Sequence, residues 1–121
     1  MEWSALLSVD QFHNVISNPE NTPVLIFKHS KRCHISGIAK LRLDDMKQIC
    51  PAIQCYLVDV IGSRSLSRQI ADAANVSHES PQVLLFIRGE CVYDESHLDI
   101  SVTEIKDACE GYLEESKWRV N

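Results

Sequence analysis

The sequence predicts an α/β domain, a mixed four-stranded sheet flanked by helices on both sides with an extra helix at the N-terminus. Two short runs, Val24-Leu25-Ile26-Phe27 and Val83-Leu84-Leu85-Phe86-Ile87, are continuously apolar, as strands buried on both faces are. Two others, 53–60 and 91–95, are amphipathic and suit the sheet's edges. Around them lie four segments whose apolar residues recur at helical spacing.

In chain order, Ser8 is an N-cap for a helix over about 8–17, with Val9, Phe12 and Ile16 on one face, and Asn18-Pro19 ends it. Pro23 bounds the first central strand, which runs on through Lys28-His29. From 33 to 49, Ile35, Ile38, Ala39, Met46 and Ile49 fall roughly on one helical face, and Cys50-Pro51 stops that helix. The strand at 53–60 then implies a right-handed parallel crossover. A helix over 63–74 turns Leu66, Ile70 and Ala73 or Ala74 inward, and the polar loop Ser77-His78-Glu79-Ser80-Pro81 follows. The second apolar strand, a turn at Arg88-Gly89-Glu90 and a return through Cys91-Val92-Tyr93 make a hairpin. A last helix buries Val102, Ile105, Cys109, Tyr112 and Leu113, with Glu104, Lys106, Asp107, Glu110, Glu114 and Glu115 largely outside. This order of elements resembles the thioredoxin fold.

One domain over residues 1–121 suits a chain of this length, which shows no repeat, linker or low-complexity tract. With no apolar run of membrane-spanning length and no signal-like head, the chain is expected to act in the cytoplasm, without a membrane partner. Five cysteines, an odd number at irregular spacing, read as reduced thiols rather than a disulfide framework. The net charge of −5 lies entirely in the second half: residues 1–60 hold six basic and six acidic side chains, residues 61–121 six and eleven. An acidic chain argues against a nucleic-acid partner. The basic stretch Lys28, Lys31, Arg32, Lys40 and Arg42, free of acids, instead suits a small anion or an ionised thiol.

Ser30-Lys31-Arg32-Cys33 delivers a thiol to the first turn of a helix at the carboxyl end of a central strand, where open α/β sheets commonly hold their chemistry. Unpaired N–H groups and the helix dipole favour a thiolate there, and Lys31, Arg32 and His34 add to the field. Ser36, three residues on, is placed to donate its hydroxyl to the Cys33 sulfur. Cys33-His34-Ile35-Ser36 has no second sulfur to resolve a mixed disulfide, so an external thiol must do so. The other cysteines have packing explanations: Cys55 in a strand, Cys109 in a helix stripe, Cys91 opening a hairpin strand, Cys50 closing a helix. Lys40 and Arg42 read as a solvated helix face.

The resemblance to the thioredoxin fold implies a cis peptide bond between Ser80 and Pro81 facing Cys33, with the Ser80 backbone pairing with substrate. No metal site is expected, because His29, Cys33 and His34 diverge too much for a closed tetrahedron and no second Cys/His pair has zinc spacing. His97 suits a turn, His13 a solvent-facing helix position, and His78 stays open between a loop residue and a neighbour of the thiol.

Taken in order, Pro23-Val24-Leu25-Ile26-Phe27-Lys28-His29-Ser30, Arg32-Cys33-His34-Ile35-Ser36, His78-Glu79-Ser80-Pro81-Gln82 and Ser96-His97 with Ile100 resemble the YtxJ-type monothiol bacilliredoxins over nearly the whole chain. The resemblance implies a cytoplasmic thiol-disulfide oxidoreductase of redox homeostasis and stress response. It would remove bacillithiol, a low-molecular-weight thiol, from mixed disulfides on S-thiolated client proteins. Cys33 would be the attacking thiol and Pro81 the cis-proline. No bound cofactor is implied; bacillithiol is the co-substrate, and a separate disulfide reductase recycles the product. The family usually shows Thr-Arg-Cys-Pro-Ile-Ser, whereas this chain has Lys31-Arg32-Cys33-His34-Ile35-Ser36. Histidine in place of proline restores a backbone N–H near the sulfur and adds a titratable ring. Two other readings stay open: a redox-inactive binding module on the same fold, marked by sluggish alkylation of Cys33, and a monothiol metal-cluster carrier, marked by visible absorbance. A dithiol enzyme is also open if Cys55 or Cys91 lies close to Cys33.

Overall fold

Continuous apolar runs end up at the centre of the sheet because both of their faces find a helical layer. A computed structural model describes the backbone of residues 3–118 and the side chains of residues 3–112. The elements are β1 (Ser4–Ala5), α1 (Val9–Ile16), β2 (Val24–His29), α2 (His34–Leu43), α3 (Met46–Ile49), β3 (Gln54–Asp59), α4 (Arg64–Ala74), β4 (Gln82–Ile87), β5 (Glu90–Ser96), a 3-10 turn (His97–Asp99) and α5 (Val102–Trp118). The strand order is β1-β3-β2-β4-β5. β1, β3 and β2 are parallel, while β4 runs antiparallel to both of its neighbours, β2 and β5.

Side-chain alternation along β2 and β4 divides the core in two. Leu25, Phe27, Val83, Leu85 and Ile87 pack with Ala39, Leu43 and Met46 of α2 and α3 and Ile105 and Cys109 of α5. On the other face Val24, Ile26, Leu84 and Phe86 pack with Phe12 and Ile16 of α1 and Leu66 and Ile70 of α4. Phe12 meets Phe86 edge-on, with ring centroids 5.4 Å apart. Each large side chain so buried contributes about 1.5–3 kcal/mol.

Most elements follow the pattern that predicts them. Ser8 caps α1, its side chain accepting from the Gln11 N–H. Arg88 and Gly89 form a two-residue hairpin loop, both with positive φ, as a type I′ turn requires. Four features differ. The sheet has five strands, because residues 4–5 add a two-residue strand to β3, too short for any periodicity to show. The helix expected over 33–49 is broken at Asp44-Asp45, and its buried stripe is Ser36, Ala39, Leu43 and Met46. Ile35 and Ile49 are exposed, because a serine at an inward position hides the true stripe from an apolar count. In α4 the partly buried Ala74 packs against the core as expected while Ala73 is exposed, and Ala71, one position after Ile70, is buried as well, which widens the stripe. Finally, 53–60 is not an edge strand, since β1 covers it. Leu113, Glu114 and Glu115 lie outside the described side chains.

The register concentrates the connections at one end of the sheet. His29 is opposite Asp59, Lys28 opposite Gln82 and Gln82 opposite Ser96. The ends of β2, β3 and β5 and the start of β4 therefore coincide, gathering Ser30 to Cys33, the turn after Asp59, the loop 77–81 and His97.

Candidate functional site

Cys33 is the N-cap residue of α2, with extended backbone and no side-chain cap bond. Its N–H donates to the Ser30 carbonyl at 3.2 Å, and its own carbonyl accepts from Gly37 at 3.1 Å, the first bond of the helix. The thiol is half-buried, while Lys31, Arg32 and His34 beside it are exposed. Together with Gly37, Ile38 and Leu41 they line an open groove of about 460 Å³. The groove is therefore cationic at its mouth and apolar along α2.

Ser36 is fully buried and does not serve the sulfur in the way the sequence suggests. Its Oγ lies 2.6 Å from His29 Nδ1 and accepts from the Ser30 N–H at 3.0 Å. The hydroxyl thus ties the end of β2 to the first turn of α2 and fixes the loop that carries Cys33, instead of donating to Cys33. Burial, then Lys40 and Lys31, lower the pKa of His29 against the opposing pull of Asp59. The ring behind Ser36 is consequently neutral at neutral pH.

The peptide bond between Ser80 and Pro81 is cis, and Pro81 is buried at the sheet end to which α2 delivers Cys33. Buried Gln82 holds the loop before it: its Nε2 donates to the Ser77 carbonyl at 3.0 Å and its Oε1 accepts from the Glu79 N–H at 3.4 Å. The Pro81 carbonyl accepts from the His97 N–H at 2.9 Å, and the His97 ring meets Glu79 at 3.1 Å. The turn residue His97 therefore also anchors the proline loop. Ser80 Oγ is buried with no hydrogen-bond partner.

Two polar residues at the end of β2 escape a reading of that strand as an apolar run. His29 faces the α2 layer, where it meets Ser36, and Lys28 faces the α4 layer, where its Nζ lies 3.0 Å from His78 Nδ1. The one available signal is parity: Lys28 shares the side of Ile26, and His29 that of Phe27. His78, left open by the sequence, is engaged by Lys28. His13 is exposed, as a solvent-facing helix residue is.

All five cysteines are free thiols. Burial pushes Cys55 and Cys91 up to about 11 and Cys109 up to about 12, so these three stay protonated at neutral pH. Among the described residues the one sulfur–sulfur contact is Cys50 to Cys109, at 3.8 Å. Neither Cys55 nor Cys91 touches Cys33.

Comparison with known proteins agrees with this arrangement. A solved thioredoxin-fold structure assigned provisionally as an oxidoreductase is 38% identical, with a TM-score of 0.78, over 87% of this chain and 91% of that one. Thioredoxin from Trypanosoma brucei brucei superposes with a TM-score of 0.72 at 12% identity, over 93% of this chain and 92% of that one. The N21Q mutant thioredoxin from Halobacterium salinarum NRC-1 gives 0.70 at 21% identity, over 92% and 90%. At such identities these two establish the thioredoxin fold alone. The family model for the monothiol bacilliredoxin BrxC matches residues 4–105, which include Cys33, Ser36 and the cis-proline loop. The chain is therefore a member of the monothiol bacilliredoxin family, thioredoxin-fold oxidoreductases acting on thiols.

Proposed function

We propose that this protein removes a low-molecular-weight thiol, bacillithiol, from mixed disulfides on S-thiolated client proteins by monothiol exchange at Cys33. The observation that carries the reading is the pairing of a half-buried thiol at the N-cap of α2 with a buried serine three residues on, already committed to His29 and Ser30. The Cys33 thiolate attacks the small-molecule sulfur of the client disulfide; a Cys33–S–S–R bond forms, the client S–S bond breaks, and the client leaves as a thiolate. A second small thiolate attacks the Cys33–S–S–R bond on the R sulfur, regenerates the Cys33 thiolate and leaves as R–S–S–R. The two exchanges leave the number of disulfides unchanged; the two electrons each cycle needs enter when a separate reductase reduces R–S–S–R and returns two small thiols to the pool. No bound cofactor takes part.

Each neighbour has a role in this cycle. The uncapped N–H groups of α2, with Lys31, Arg32 and His34, receive the negative charge on the sulfur and attract an anionic thiol. The apolar wall of Ile38 and Leu41 gives the client chain a surface, and the Ser80 backbone beside cis-Pro81 pairs with it. Intact-protein mass after incubation with oxidised bacillithiol, and in parallel with oxidised glutathione, tests the scheme. One adduct mapped to Cys33 and removed by free thiol is expected. An internal disulfide, or no adduct at Cys33 with either reagent, would overturn it.

A further inference from the structure

A second cationic site lies at the same end of the sheet, on the α4 face opposite α2. Val60, Ile61, Arg64, Arg68 and His78 line a pocket of about 260 Å³. Arg64 and Arg68 are four apart on α4 and so project from one side of it. Behind His78 stands Lys28, fully buried, its Nζ 3.0 Å from the His78 ring. An imidazole accepts a hydrogen bond but supplies no counter-charge. Among the described residues the ion pairs are His97 with Glu79 and Lys106 with Glu110, so none of Lys28, Arg64 and Arg68 has a carboxylate partner. Glu79, the acid whose field reaches His78, is bonded to His97 instead. Ser63 makes no side-chain cap bond, which leaves the first-turn N–H groups of α4 open beside Arg64.

Burying the Lys28 cation without a counter-charge is costly, and an anion beside it would relieve that cost, while the exposed Arg64 and Arg68 at the mouth are available to hold one. We infer that this pocket binds the oxyanion of a small ligand, a carboxylate or phosphate, held by the guanidinium groups of Arg64 and Arg68 with His78 and Lys28 behind. Arginine suits this task because its planar donor fork matches two oxygens at once. Burial lowers Lys28 to about 8, which keeps it cationic at neutral pH. The pocket sits between the end of β3 and the loop that enters cis-Pro81. Its occupant would therefore be the anionic tail of the small thiol exchanged at Cys33; that identification rests on the function proposed above, whereas oxyanion binding does not.

The test uses full-length Cys33→Ala protein, which cannot exchange thiols, titrated with inorganic phosphate and separately with succinate while backbone amide NMR shifts are followed. Saturable shifts confined to residues 60–68 and 77–79 are expected with at least one probe, weakened tenfold or more in the Arg64→Gln/Arg68→Gln double variant. Both side chains are exposed, so the double variant should fold, which its amide spectrum reports directly. No saturable shift with either probe, or equal affinity in the folded double variant, would overturn the site. In protein with Cys33 intact, the same double variant should raise KM for a small-thiol mixed disulfide about tenfold at little-changed kcat. An unchanged KM beside lost phosphate or succinate binding would assign the pocket to a free anion and overturn its identification with the thiol's tail.

Discussion

Cys33 and Ser36 occupy the two positions that decide between a dithiol and a monothiol cycle. Replacing Cys33 by Ala should abolish transfer of the small thiol, read as loss of the mass adduct, without unfolding a protein whose Cys33 side chain is only half-buried. Cys109→Ala should do the opposite. Its sulfur is fully buried among Ile105, Leu43 and their neighbours, so truncation should cost about 1–3 kcal/mol in urea unfolding while the adduct at Cys33 persists. Ser36→Ala should also destabilise, by about 1–3 kcal/mol, because the Ser30 N–H and the His29 ring lose their shared partner in a buried setting. The thiol's place at the N-cap of α2 was legible in the sequence, since a helical spacing begins there directly after the apolar run of β2. The partner of Ser36 was not. A three-residue spacing puts Ser36 on the Cys33 side of the first turn, but only the tertiary approach of β2 shows that His29 claims the hydroxyl first.

Among the elements, the central strands and the hairpin were legible because an uninterrupted apolar run has few alternatives to a sheet centre. β1 was not, being two residues held by pairing with β3 rather than by any pattern of its own. The break between α2 and α3 was equally silent: Asp44 and Asp45 are tolerable inside a helix, and packing of Leu43 and Met46 into one core decides the matter. Arg42 gives this region a further role that its helix-face pattern conceals. Its Nη1 donates to the Leu98 carbonyl at 2.6 Å and lies 3.4 Å from the Ile100 carbonyl, pinning the 3-10 turn across α2. That turn carries His97, which holds the Pro81 carbonyl. Arg42→Met should therefore speed amide exchange across residues 97–101 and cost about 1 kcal/mol, while hydrogen exchange in the hairpin β4–β5 stays as it was. Unchanged exchange at residues 97–101 would show that the turn stands without this latch.

At the scale of the whole molecule, one end of the sheet gathers buried polar and cationic groups, and their cost should show in how stability varies with pH. Lys28 is fully enclosed on the α4 side, and loss of solvation lowers it from 10.5 to about 8. Below pH 8 both the folded and the unfolded chain carry the proton, so the full penalty of burying the charge is present. Between pH 8 and 10.5 the unfolded chain keeps a proton that the folded chain has released, and linkage makes the folded state gain stability from this group as pH rises. Above 10.5 both forms are neutral and the penalty is gone. Lys28→Met never carries the charge. Its stability relative to the unaltered protein should therefore be highest near pH 7.5 and fall toward pH 10, a change on the order of 1–3 kcal/mol. The elevated Cys55, Cys91 and Cys109 thiols also affect stability above pH 9, but with the opposite sign and alike in both proteins, so they cancel in the difference. Starting at pH 7.5 keeps His78 neutral, since burial and then Lys28 hold its pKa below the ordinary imidazole value. Urea unfolding of both proteins at pH 7.5 and pH 10 measures the effect. A difference that stays constant or grows with pH would mean that Lys28 is not charged inside the fold, and the cationic character of the α4 pocket would then rest on Arg64 and Arg68 alone.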